Sequence, residues 1–294
     1  MASLKDIRAR IESTKNTQQI TKAMKLVSAA KLRKAQNQIV NMRPYALTLR
    51  KVIADIAVTN KVSHPLMEKR AEVKNVLLVV ITSDRGLCGA FNSNINKFTE
   101  NYIAENKSKH EKIDFIFIGR KGHDYFAKRD IKPVDYITKL DKDISYELAS
   151  RVANRVMEDY LEGNYDEVRI IHNQFNSAIS QTVVCETILP IDIGLTTFKT
   201  EAEKANEFAV DMIFEPAPEM IIKELLEKHF DLQVYRCMSE SVAGEHGARM
   251  SAMENATNNA KEMINKLTLT YNKLRQEKIT TELIEIVSGA EALK

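Results

Sequence analysis

Turn-forming residues are scarce in this chain. Its 294 residues include only nine glycines and six prolines, so sharp reversals are few and long helices are favoured. Cysteine is equally sparse: Cys88, Cys185 and Cys237 lie far apart, fit neither a disulfide framework nor a zinc motif, and point to a reducing compartment. No apolar run approaches the roughly 20 residues that cross a bilayer. The N-terminal stretch MASLKDIRARIESTKNTQQ lacks the apolar core of a secretory signal. The loop TSDRGLCGA (82–90) invites a phosphate-binding reading, but Gly89 is followed by Ala90 and Phe91 where a P-loop needs Lys and Ser/Thr, and the dinucleotide G-x-G-x-x-G pattern is missing. Histidines 64, 110, 123, 172, 229 and 246 show no metal-ligand spacing, and neither a serine nucleophile elbow nor a paired-carboxylate signature occurs. No catalytic residue, cofactor or metal is therefore expected.

What the chain does have is helix at both ends and a lopsided charge. Residues 1–59 carry 12 Lys/Arg against 3 Asp/Glu, a net +9, which leaves −6 for the remainder of a chain whose total is +3. Such polarity suits an acidic partner, whether nucleic acid, membrane surface or protein. Ser3 is a plausible N-cap with Asp6 in the first turn. Leu4, Ile7, Ile11, Ile20, Met24 and Val27 recur at helical spacing and predict a narrow pairing stripe, with Pro44 the one internal breaker. At the other end, no proline follows Pro218. Met253, Ala256, Ala260, Met263, Leu267, Thr270 and Leu274 form a heptad seam, and Ile279, Leu283, Ile286, Ala290 and Leu293 a second one in a shifted frame. Gly244 and Gly247 mark an expected bend or frame shift. Helices of such length would reach about 80 and about 105 Å, too long for a globule about 50 Å across. The simplest arrangement pairs them antiparallel.

Between them, NVLLVVIT (75–82) is a continuous apolar run of the kind a parallel strand covered on both faces requires. IDFIFIG (113–119) and PVDYIT (133–138) are further strands, SYELASRVANRVMEDYLEG (145–163) is helical, and YDEVRIIHNQF with TVVCETILPI reads as an antiparallel closing pair. The expected fold is thus a doubly wound, Rossmann-like α/β domain inserted into a long antiparallel two-helix coiled coil. Its parts are an N-terminal shaft helix (1–59), an α/β foot domain (74–200), a linker (201–218) and a C-terminal shaft helix (219–294).

The segments IRARIESTKNTQQITKAMKLVSAAKLRKAQ (7–36) and YNKLRQEKITTELIEIVSGAEAL (271–293) resemble the terminal signatures of gamma subunits of F-type ATP synthases. ITSDRGLCGAFN (81–92) and FEPAPE (214–219) resemble that family's internal motifs, in the same order. The resemblance implies a rotor that is not itself catalytic. Its paired helices enter the hexamer of alpha and beta subunits, its foot sits with the epsilon subunit on the c-subunit ring, and one copy serves each complex. It further implies hexamer contacts by Met24, Lys25, Arg275, Gln276, Thr280, Glu282 and Glu285, and c-ring contacts by Phe214 and Glu215, where Phe214 replaces the usual Tyr. Gly247 stands where the family commonly has Ala. A family motif that starts at Ile7, with no paired-cysteine insertion, suggests a bacterial enzyme, peripheral on the cytoplasmic face of the inner membrane and touching the membrane only through the complex. The outer surface of such a shaft is expected to be small and polar so that it slides. The competing reading is a static coiled-coil scaffold or a basic nucleic-acid-binding protein. KAMKLVSAAKLRKAQ (22–36) would supply the charge for that role but lacks aromatics for base stacking.

Overall fold

The computed structural model describes residues 3–60, 64–138, 145–178, 180–192 and 217–292. In chain order these form α1 (Leu4–Asn60), β1 (Asn75–Ile81), α2 (Phe91–Asn106), β2 (Lys112–Ile118), α3 (Arg120–Ala127), β3 (Asp135–Ile137), α4 (Tyr146–Leu161), β4 (Glu167–Phe175), β5 (Gln181–Leu189) and α5 (Pro218–Ala292). They gather into two compact units, one made of the chain ends (Met1–Ala29 with Arg249–Lys294) and one of Ala30–Ala248. Both terminal helices contribute to each.

α1 starts on a reciprocal cap: Asp6 N–H donates to Ser3 Oγ at 3.2 Å and Ser3 N–H to Asp6 Oδ2 at 3.1 Å. Pro44 lies inside the helix without ending it. Inward-facing α1 residues of the larger unit are Leu32, Ala35, Ile39, Leu49, Ile53 and Ile56, all buried. Leu49, Ile53 and Ile56 share a core with Ile222, Leu226, Phe230, Val234 and Met238 of α5 and with Ala149, Val152, Val156 and Tyr160 of α4. Each such large side chain, once buried, contributes about 1.5–3 kcal/mol.

The sheet runs β3-β2-β1-β4-β5, parallel except for β5, which pairs antiparallel with β4. This order explains the composition of β1. Leu77, Val79 and Ile81 enter the core shared with α1, α4 and α5, whereas Val76, Leu78 and Val80 enter a second core with Phe91 and Ile95 of α2 and Phe126 of α3. A strand with no polar face has no polar period. The third strand is only three residues long, and Val134 just before it donates its N–H to Phe115 O of β2 at 2.8 Å.

Gly244 and Gly247 do not interrupt α5. They allow close approach instead: a Cβ on Gly247 would lie 2.8 Å from Ala178 O, and one on Gly244 would lie 3.3 Å from Gln181 Cγ. Both glycines thus let the helix lie tightly against the β4–β5 hairpin.

Gly119 offers a graded test. A Cβ there would meet Thr82 O at 2.2 Å on a backbone with φ of +103°, while Gly163, at φ +84°, has nothing within 4 Å. In urea denaturation of the full chain, Gly119→Ala is expected to cost about 3 kcal/mol or more, and Gly163→Ala only about 1 kcal/mol.

Candidate functional site

The chain ends pair antiparallel. Thr14 faces Met263, Thr21 Oγ1 lies 2.8 Å from Thr257 Oγ1, and Lys25 Nζ is 2.6 Å from Glu254 Oε1. Covered α1 positions here include Leu4, Ile7, Ile11, Thr14, Gln18, Thr21, Lys25 and Ser28, which alternate by three and four, together with Met24 of the expected stripe. The expected stripe is therefore corrected in its second half. Ile20 is 60% exposed and Val27 58%, and the hydroxyls of Thr21 and Ser28 take their place inside. On α5 the covered residues include Met253, Thr257, Ala260, Ile264, Leu267, Tyr271 and Leu274. The expected seam shares Met253, Ala256, Ala260, Leu267 and Leu274, but Met263 and Thr270 are exposed, with Ile264 and Tyr271 turned inward in their stead. Both frames repeat every seven residues, and only the partner helix chooses between them. A small, polar outer surface is not found either, since Leu26 joins Ile20 and Val27 among exposed large aliphatic residues.

The threonine pair is self-consistent. Thr21 Oγ1 can donate to Gln18 O (3.0 Å) and Thr257 Oγ1 to Met253 O (2.7 Å). Whichever hydroxyl gives its proton across the pair, the other keeps its own carbonyl.

Among the described residues Leu4 is the first covered position of α1 and Leu274 the last of α5, and every α5 residue from Arg275 to Ala290 is exposed. Arg275, Gln276, Thr280, Glu282 and Glu285 all lie on this unaccompanied stretch. Thr280 Oγ1 donates to Gln276 O at 2.9 Å, and Lys278 reaches Glu282 at 3.5 Å. Ile279, Leu283, Ile284, Ile286 and Val287 are exposed there as well. At about 100° per residue these aliphatic side chains share one side, with Lys278, Glu282 and Glu285 on the other. Met24 is half-buried beside the Lys25–Glu254 ion pair, which partly occupies Lys25. Phe214 and Glu215 lie outside the described residues.

At the carboxyl end of β2 the protein itself occupies the start of α3. Asp84 Oδ1 accepts from Arg120 N–H (2.9 Å), Ser83 O from Lys121 N–H (3.0 Å) and Thr82 Oγ1 from Gly122 N–H (2.9 Å). These three take the first amides of α3, the donors a phosphate would need.

A polar cluster that sequence spacing does not reveal lies where α5 crosses β4 and β5. His172, on β4 and wholly buried, has Nε2 3.3 Å from Glu186 Oε1 of β5. Arg236 of α5 bonds Glu186 through Nη2 and Glu240 through Nη1 at 3.2 Å. Burial works against a charged Glu186, but the bonds from His172 and Arg236 outweigh it and draw its pKa down to about 2. Burial likewise opposes an imidazolium at His172, yet Cys237 and Glu186 bring it to about 10. One helical turn before Gln233, His229 has no such support: burial, then Arg50 and Arg236, lower it to about 4. It lines a cavity of about 20 Å³ between α1 and α5, room for one water.

The chain thus joins an antiparallel pair of terminal helices to a largely parallel sheet that is inserted between them in sequence. A family model described as ATP synthase matches residues 3–293. The ATP synthase gamma chain of Bdellovibrio bacteriovorus is 86% identical over 294 residues, covering the whole of both chains. That of Trichlorobacter lovleyi is 46% identical over 295 residues with the same coverage. Among solved structures, the central stalk of the Tetrahymena thermophila mitochondrial ATP synthase matches with a TM-score of 0.60 at 28% identity, over 81% of this chain and 99% of that one. A Euglena gracilis mitochondrial ATP synthase chain shares the fold with a TM-score of 0.66 at 23% identity, over 99% and 94%. The chain belongs to the ATP synthase gamma family, whose members are non-catalytic subunits. Neither the static scaffold nor the nucleic-acid reading is favoured.

Two measurements check the site. Replacing both Thr21 and Thr257 by Val removes a matched hydroxyl pair without a cavity, so thermal denaturation of the full chain should show a gain of about 1 kcal/mol; a loss would mean the hydroxyls hold the pair together. His229 is neutral when folded and takes up a proton near pH 6.5 when unfolded. Its contribution is therefore complete above pH 6.5 and lost as pH falls toward 4, at up to about 1.4 kcal/mol per pH unit. His229→Gln should flatten the stability profile in that window and leave unchanged the lower one, below pH 4.5, that belongs to Glu186.

Proposed function

We infer that this chain is the central rotor stalk of an F-type ATP synthase, carrying torque between a membrane-embedded ring of c subunits and a hexamer of alpha and beta subunits. The observation that carries this reading is the α5 tip. From Arg275 to Ala290 it has no companion helix, and it exposes Ile279, Leu283, Ile284, Ile286 and Val287 on one side and charge on the other. An aliphatic face of that size on a water-soluble helix is explained by a collar that surrounds it. Its two unlike sides matter for coupling. Three chemically identical beta sites around such a tip meet different surfaces at any instant, and turning the tip passes each surface to the next site in order.

In this reading Arg275, Gln276, Thr280, Glu282 and Glu285 meet the collar at the tip, while Met24 and Lys25 meet the lower rim of the hexamer. The pairing of Lys25 with Glu254 means that an acidic partner there must compete with a residue 2.6 Å away. Phe214 and Glu215, with the epsilon subunit, are assigned to the ring side. One copy per complex follows from an axle at the centre of a ring. Among the described residues no helix is long and apolar enough to cross a membrane. Attachment is accordingly peripheral, on the cytoplasmic face of a bacterial inner membrane, and the α/β unit needs no cofactor for this role.

Reconstitution with alpha and beta subunits tests the reading. Deleting the chain from Arg275 onward should abolish coupled synthesis while leaving a complex that still hydrolyses ATP. Replacing Ile279, Leu283 and Ile286 together by Ser should lower coupled turnover about tenfold, the effect of losing about 1.4 kcal/mol of contact. Full coupling in both variants would remove the tip from the mechanism.

A further inference from the structure

We propose that His172, Glu186 and Cys237 form a binding site for a divalent transition metal of the zinc class. One ligand atom from each, the imidazole nitrogen, a carboxylate oxygen and the thiol sulfur, lie within 4.8 Å of one another. The three come from three different elements of the same compact unit. β4 and β5 pair Ile170 with Glu186 and His172 with Val184, so His172 and Glu186 sit diagonally on one face of the hairpin. Cys237 meets them from α5. Positions held by two hydrogen-bonded strands and a packed helix are fixed before an ion arrives, which lowers the cost of binding it.

Several observations point to a cation rather than to a purely structural network. The buried His172 Nδ1 has no hydrogen-bond partner, and neither has Glu240 Oε2, so the network is incomplete on its own terms. A mixed nitrogen, oxygen and sulfur donor set suits zinc and its neighbours and excludes magnesium and calcium, which take oxygen ligands. The charges also balance. Ligands must be deprotonated to bind, so the ion displaces the proton that His172 holds in the metal-free protein; two carboxylates and a thiolate then stand against the one guanidinium of Arg236, and a divalent ion cancels the excess. Arg236 remains held by Glu240 at 3.2 Å and by Gln233 Oε1 at 3.0 Å when the ion takes a Glu186 oxygen. Of the three ligands, Glu186 lines a cleft of about 760 Å³ along β5 and α5, while His172 and Cys237 lie buried behind it. Three protein ligands leave a tetrahedral ion one position for water. The ion would bind the closing hairpin of the sheet to the helix that crosses it.

The test uses the full chain after chelator treatment, titrated with Co²⁺ as a spectroscopic stand-in for Zn²⁺. One equivalent should bind and give a near-ultraviolet thiolate charge-transfer band. The band should vanish in Cys237→Ser, require at least tenfold more Co²⁺ in His172→Gln, and persist in Cys88→Ser. No thiolate band in the unaltered chain, or one that survives Cys237→Ser, would overturn the site. Should either variant fail to fold, X-ray absorption of the Zn²⁺-loaded unaltered chain decides. One sulfur at about 2.3 Å with lighter ligands at about 2.0–2.2 Å supports the site, and a shell without sulfur refutes it.

Discussion

Everything at the chain ends depends on the phase of one repeat. The covered positions of α1 alternate by three and four residues from Leu4 onward without a skip, and that phase decides which side chains of α5 turn inward. Within the smaller unit the phase passes from Leu4, Ile7 and Ile11 to Thr14, Gln18, Thr21, Lys25 and Ser28, so from Thr14 onward α1 offers the seam mostly hydroxyls, an amide and an ion pair. Within the larger unit it passes through Leu32, Ile39, Leu49, Ile53 and Ile56, and the same geometry yields an ordinary apolar core. A periodic backbone thus supports two kinds of interface. In the polar one, specificity of register comes from hydrogen bonds that only one alignment can make, as a buried polar residue does in coiled coils. The aliphatic residues displaced from that seam, Ile20, Leu26 and Val27, are left facing outward.

The α/β unit obeys a second constraint, that a parallel strand between two helical layers has no solvent side. β1 satisfies it with six consecutive buried residues. Past the end of β1 the chain turns to serve its neighbour, because Thr82, Ser83 and Asp84 cap α3. Gly119 and Gly122 permit that contact, since a Cβ on either would press against Thr82.

Much of this was legible in the sequence, for physical reasons. The unbroken apolar run of β1, the absence of breakers after Pro218 and the motifs at both ends each reflect a local demand, and local demands leave local patterns. The phase of the seam between residues 14 and 28 did not, because apolar periodicity is silent where the interface is polar. Ile20 and Val27 follow the pattern yet sit on the wrong side. Gly244 and Gly247 were read as weakness in a helix, when the reason for them is Ala178 and Gln181 on the neighbouring hairpin. The cluster of His172, Glu186, Arg236 and Cys237 was invisible for the same reason: its members are brought together by strand register and helix crossing, and no spacing rule covers that.

The unequal lengths of the two terminal helices have a mechanical corollary. Down to Leu274 any twist applied to α5 is shared with α1, but from Arg275 onward a lone helix bears it. Under the same load an unbraced rod turns through a larger angle than a braced one, so angular lag gathers in the last turns.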